Sequence, residues 1–171
     1  MSPHRSCAGG NRAMSEPFTE LLQRAVALAR SSVDAGGGPF GALITTADGR
    51  IVAEGQNVVT AACDPTAHAE VTAIRRACAV QESHRLDGLI LVSSCEPCPM
   101  CLAAAWWARL DSVHFASTRF EAANAGFDDA LLWQAVASGN TGPQLPLRHL
   151  PVPTAGDEFH HWLAQADRMP Y

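Results

Sequence analysis

The segment Cys95-Glu96-Pro97-Cys98-Pro99-Met100-Cys101, together with the upstream Thr66-Ala67-His68-Ala69-Glu70, constrains this chain more than any other feature. The two stretches offer three soft ligands for a zinc ion and one carboxylate that is not a ligand. Whatever fold the chain adopts must therefore bring residue 68 against residues 98 to 101. A zinc held by three protein ligands keeps its fourth position for water, which is the arrangement of catalytic sites.

Two cysteines separated by two residues at a helix start lie on one face, so Cys98 and Cys101 can grip one ion. Pro97 and Pro99 suit a first helical turn, where a missing amide donor costs little. The positive end of that helix stabilises thiolates. His68 is expected in the first turn of its own helix, so two helix N-termini would converge on the metal. Cys95-x-x-Cys98 has the same spacing, and spacing alone does not choose between the pairs. Pro97 favours Cys98 with Cys101, because it places the helix start just before Cys98. A site made of His68 and all three cysteines would instead be closed and structural.

At 171 residues the chain has the size of one domain and can bury roughly 70% of its unfolded surface. It contains no apolar run of about 18 residues, so no helix of the membrane-spanning kind is expected. Residues 1–14 are polar and glycine-containing without an apolar centre; they read as a disordered arm rather than a secretory signal. Residues 15–171 form the single domain. The formal net charge is −5, and all twelve basic residues are arginines, spread apart except for Arg75-Arg76. That distribution favours a small-molecule substrate over nucleic acid. Closely spaced Cys95, Cys98 and Cys101 argue for reduced thiols in the cytoplasm rather than a disulfide framework. Cys7, Cys63 and Cys78 carry no pairing signal.

Helical spacing of Phe18, Leu21, Leu22, Ala25, Val26, Leu28, Ala29 and Val33 predicts a helix from Ser15, a plausible N-cap, to the stop at Gly36-Gly37-Gly38. Phe40 to Thr46 and Arg50 to Gln56 flank Asp48-Gly49 and predict a hairpin. Asp64-Pro65-Thr66 is expected to open a helix running to about Ala79. Leu89 to Val92 reads as a buried strand ending at the cysteines. A helix from about Cys98 to Arg109 leads to a second buried strand, Ser112 to Ser117, so the two strands should be parallel. Asp128 to Ser138 and Asp157 to Asp167 are predicted helices. Between them lies proline-rich Thr141 to Thr154, with a short strand possible near Leu150. The fold class is α/β, a mixed sheet between helices.

His68-Ala69-Glu70 with Pro97-Cys98-Pro99-Met100-Cys101 resembles the cytidine-deaminase-like zinc deaminases, whose signature is His-x-Glu followed by Pro-Cys-x-x-Cys. Within that family the chain looks most like the bacterial guanine deaminases, from about Phe18 to Tyr171. The matching stretches are Gly38-Pro39-Phe40-Gly41-Ala42, Ala53-Glu54-Gly55-Gln56-Asn57 and Asp64 to Glu70. Further on come Trp107-Ala108-Arg109, Glu121 to Asp129, and the terminal Met169-Pro170-Tyr171.

The resemblance implies a three-layer α/β/α sandwich with a mixed five-stranded sheet. It also implies Zn2+ on His68, Cys98 and Cys101, with Glu70 shuttling protons while water attacks the amine-bearing carbon of guanine, giving xanthine and ammonia. Asp129 matches a second active-site carboxylate, accepting from the purine amide and helping to protonate the departing amine. Asn57 matches a residue that hydrogen-bonds the base. Phe40 and Trp107 are candidates to sandwich it. Tyr171 resembles a terminal tyrosine that closes the site, and in some relatives that segment (here within 155–171) is exchanged between the subunits of a homodimer. No nucleic acid and no membrane partner are expected. The rival readings are a tRNA adenosine deaminase, a deaminase of cytosine, a nucleoside or ammeline, and a non-catalytic zinc module.

Overall fold

A computed structural model describes residues 15–170. The N-terminal arm and Tyr171 lie outside the described residues. So does the residue that would cap α1, Ser15–Asp34, in place of the expected Ser15. Leu21, Ala25, Leu28 and Ala29 form the buried stripe of α1, one helical turn apart. The hairpin follows as β1, Gly41–Thr46, and β2, Ile51–Gln56, paired antiparallel with a bulge between Ile44 and Thr45. A short α2, Val59–Ala62, leads into α3, Ala69–Gln81. Next come β3, Leu89–Cys95, α4, Pro99–Trp107, β4, Ser112–Ser117, and α5, Arg119–Asn124.

The strands lie in the order β2-β1-β3-β4. β1 is antiparallel to β3, whereas β3 and β4 are parallel and joined through α4, as the sequence predicts. Alternate residues of the central strands face opposite layers. Leu43, Ile90 and Val92 pack against Leu21, Ala25 and Leu28 of α1. On the other face Ala42, Ile44, Ala53 and Leu91 meet Ala69, Ala73, Ile74 and Ala77 of α3 and Ala105 of α4. This two-sided burial is why β3 reads as an unbroken apolar run.

One contact controls where α3 sits. A Cβ at Gly55 would lie 2.1 Å from the Ala69 carbonyl oxygen and 2.5 Å from the Ala73 nitrogen. Only a bare Cα lets the first turns of α3 rest directly on β2.

From Ala130 onward the chain forms a second compact unit. It contains α6, Ala130–Ser138, a single 3-10 turn, Gly142–Gln144, and α7, Asp157–Leu163. The described sheet has four strands, which corrects the expectation of five. The segment around Leu150 is irregular; Pro146, Pro151 and Pro153 remove the amide donors a paired strand would need.

Candidate active site

The chain enters the site through a braced turn rather than through a helix. Asp64 Oδ1 accepts from the Thr66 amide at 2.8 Å and from the Thr66 hydroxyl at 2.7 Å. Arg75 bridges back to Asp64 at 3.3 Å and to Thr66 Oγ1 at 3.1 Å. The Val58 amide then donates to the Ala67 carbonyl at 3.0 Å, fastening this turn to the end of β2. His68 consequently emerges as the N-cap of α3, with extended backbone, and not within its first turn as the sequence suggests. The Asp64 side chain spends its acceptors on the turn, so the helix starts five residues later than the Asp-Pro-Thr signal implies.

Cys98 is likewise the N-cap of α4, with Pro99 as the first helical residue. Cys101 follows in the first turn and is fully buried. Three ligand atoms meet between these two helix ends. His68 Nδ1 lies 3.7 Å from Cys98 Sγ and 3.5 Å from Cys101 Sγ, and the two sulfurs are 3.6 Å apart. With Zn–S near 2.3 Å and Zn–N near 2.0 Å, tetrahedral angles put two sulfurs about 3.8 Å apart and sulfur and nitrogen about 3.5 Å apart. The His/Cys/Cys set therefore fits zinc in both chemistry and spacing. The hydrogen bond between the two sulfurs, more than His68, holds Cys98 down to about 4 against the cost of burial. The same contact with Cys98, followed by burial, pushes Cys101 up. His68 is raised, first by its hydrogen bond to Cys98.

Cys95, the competing ligand by spacing, turns away: its thiol donates to the Thr118 carbonyl at 3.6 Å. Burial pushes it up to about 11. Glu70, in the first turn of α3, is 4% exposed, and that burial raises its carboxyl above the usual range.

His68, Glu70 and Cys98 line a cavity of about 510 Å³ together with Phe40, Asn57 and Asp129. Asn57 is buried, and its Oδ1 accepts from the Val59 amide at 3.3 Å. A backbone N–H can only donate, so the side-chain NH2 is the end left to face outward. Trp107 is not among the lining residues; it lies on the exposed side of α4 with the Arg109 guanidinium 5.8 Å over its ring. The aromatic that accompanies Phe40 is Phe127, which meets it edge to face at 5.0 Å. The sequence carries Phe127 directly beside Asp128-Asp129, which is the signal that could have found it. Arg119 and Glu96 are further lining residues without a sequence-based expectation; the Arg119 amide donates to Glu96 Oε2 at 3.1 Å. Tyr171 lies outside the described residues.

Residues 15–117 match the family model described as cytidine and deoxycytidylate deaminase zinc-binding region. The chain is 48% identical over 152 residues to the guanine deaminase of Bacillus subtilis, covering 88% of this chain and 97% of that protein. The X-ray structure of the Bacillus subtilis guanine deaminase superposes with a TM-score of 0.85 at 47% identity, covering 90% of this chain and 98% of that one. The tRNA-specific adenosine deaminase of Agrobacterium fabrum is 37% identical over 97 residues, covering 57% of this chain and 63% of that protein.

Proposed function

The chain belongs to the cytidine and deoxycytidylate deaminase zinc-binding family, and from that premise we infer that it hydrolyses guanine to xanthine and ammonia. One observation carries the choice of substrate. Similarity to a guanine deaminase runs through 88% of this chain and 97% of that protein at 48% identity, whereas the tRNA adenosine deaminase matches cover 54–67% of this chain at 31–37% identity.

His68, Cys98 and Cys101 would hold zinc, which when bound would supply the Lewis acidity that makes water a nucleophile near neutral pH. Glu70 takes a proton from the attacking water and delivers it to the ring nitrogen beside the amine-bearing carbon. Its burial suits this role, because desolvation raises the carboxyl and so favours the protonated form that must hold the proton between the two transfers. Asp129, on the same cavity, accepts from the purine ring N–H and assists protonation of the amine as it leaves as ammonia. Asn57 offers its NH2 to an acceptor on the ring edge. Phe40 and Phe127 form the aromatic wall for the flat base.

The same reading has the enzyme as a cytoplasmic homodimer. α4 leaves Leu102, Trp106 and Trp107 exposed, the kind of apolar surface a second copy would cover. Closure by Met169 to Tyr171, from the same or the partner chain, completes the reading on the strength of the resemblance.

The test is ammonia release by zinc-loaded protein from guanine, an adenosine-bearing anticodon stem-loop, cytosine and ammeline. Guanine should turn over fast and the others slowly. Activity on the RNA with none on guanine would overturn the substrate assignment and leave the zinc chemistry standing.

A further inference from the structure

The loop Gly36-Gly37-Gly38 is stitched to Asn57 from several sides. Ser32, 2% exposed on α1, donates from Oγ to the Asn57 carbonyl at 3.0 Å. The Gly37 amide returns to the Ser32 carbonyl at 2.8 Å, and the Asn57 amide donates to the Phe40 carbonyl at 3.2 Å. The Thr60 hydroxyl donates to the Gly36 carbonyl at 3.3 Å. The backbone from which the Asn57 side chain hangs is thereby fixed on the side of α1.

The glycines differ in what a side chain would strike. A Cβ at Gly37 would meet backbone, 2.4 Å from the Asn57 carbonyl oxygen, and the Ser32 hydroxyl at 2.6 Å. A Cβ at Gly38 would instead press on the Asn57 side-chain amide, 3.2 Å from Cγ and 3.3 Å from both Nδ2 and Oδ1. Gly38 is outside the left-handed region, so its backbone conformation does not require glycine. The space over the amide does.

We propose that Gly38 is a positioning residue for base recognition: its bare Cα sets where the Asn57 amide lies in the cavity, while Ser32 anchors the backbone beneath it. This rests on reading Asn57 as the group that hydrogen-bonds the substrate. A methyl at position 38 forces the amide to give by a few tenths of an ångström. Its tether to the Val59 amide is already long at 3.3 Å, so the amide yields there and tilts its NH2 off the ring edge. A hydrogen bond made equally in the ground and transition states then weakens, which raises KM and largely spares kcat.

The experiment compares four zinc-loaded full-length proteins on guanine: wild type, Gly38→Ala, Asn57→Ala and the double variant. Gly38→Ala should raise KM about tenfold, with kcat changed less than about threefold and zinc content unchanged. In the Asn57→Ala background no amide remains to be displaced, so the same glycine substitution should alter KM less than about twofold. An equal effect in both backgrounds, or none in either, overturns the positioning role. If Asn57→Ala raises KM and Gly38→Ala does not, only this inference falls. If Asn57→Ala leaves KM unchanged, the reading of Asn57 falls and takes the inference with it. Should Gly38→Ala fail to accumulate as folded protein, Ser32→Ala gives the same cycle from the other side, judged by the same dependence on the Asn57 amide.

Discussion

Replacing Gly55 with alanine tests how tightly the metal centre depends on the sheet beneath it. The new Cβ would stand 2.1 Å from the Ala69 carbonyl oxygen, and ordinary contact begins at 3.4 Å. The first turn of α3 must therefore retreat by about 1.3 Å, since β2 is held by its ladder to β1. Forcing a methyl into a packed contact of this sort costs about 1–3 kcal/mol. For a chain of this length that lowers the melting temperature by about 2–12 °C. The larger consequence falls on the site. Ala69 directly follows His68 and precedes Glu70, and a metal site tolerates ligand displacements of only about 0.2 Å. Zinc affinity should fall at least about tenfold, and kcat/KM on guanine by about a hundredfold. The assay is competition for zinc with a chromophoric chelator, beside steady-state kinetics and melting curves with and without zinc. A variant that melts early yet keeps wild-type zinc affinity and kcat/KM would show that the helix shift is not transmitted to the ligands. One that keeps wild-type stability would refute the close approach itself.

Glu70→Gln preserves the shape of a buried side chain and removes its proton-carrying capacity. It should lose about 10²–10⁴ in kcat while binding one zinc as tightly as wild type, and a variant keeping more than a tenth of the turnover would dismiss Glu70 as the shuttle. Thr45 is fully buried, and its hydroxyl is the one buried side-chain polar atom without a hydrogen-bond partner among the described residues. Thr45→Val keeps the branched shape of a strand residue and should stabilise by about 1 kcal/mol, seen as a higher urea midpoint at constant slope. A lower midpoint would mean that the hydroxyl is satisfied. Stripping zinc with a strong chelator should abolish ammonia release and lower the melting temperature, both restored by zinc, because a ligand bound only by the folded state adds to its stability.

The metal ligands were legible because side-chain chemistry and spacing together admit few other uses. Where the helices begin was less so. Asp64-Pro65-Thr66 has the composition of a helix start, yet Asp64 closes a local turn with Thr66 and leaves His68 to cap α3. The opposite failure occurred at α5. Thr118 and Glu121 form a complete capping box that the sequence displays as Thr-x-x-Glu, but the helix is only six residues long and offers no apolar period to draw attention to it. The expectation that Trp107 is a cavity aromatic has a similar origin. Helix residues three or four apart share a face, but which face turns toward the cavity depends on how α4 packs on the sheet, and that is tertiary information. The proline-spaced stretch near Leu150 invited a fifth strand by its apolar content, while the missing donors decided against it.

All four strands and all three zinc ligands belong to the unit that ends at Asp129. A ribosome delivers this unit first, and domains fold in the order in which they are delivered. A metal bound by those three ligands stabilises the unit in which they lie. A cell short of zinc would therefore hold chains in which the unit that ends at Asp129 lacks that stabilisation. Pulse-labelled chains grown under zinc limitation should accordingly be cut by protease within residues 15–129.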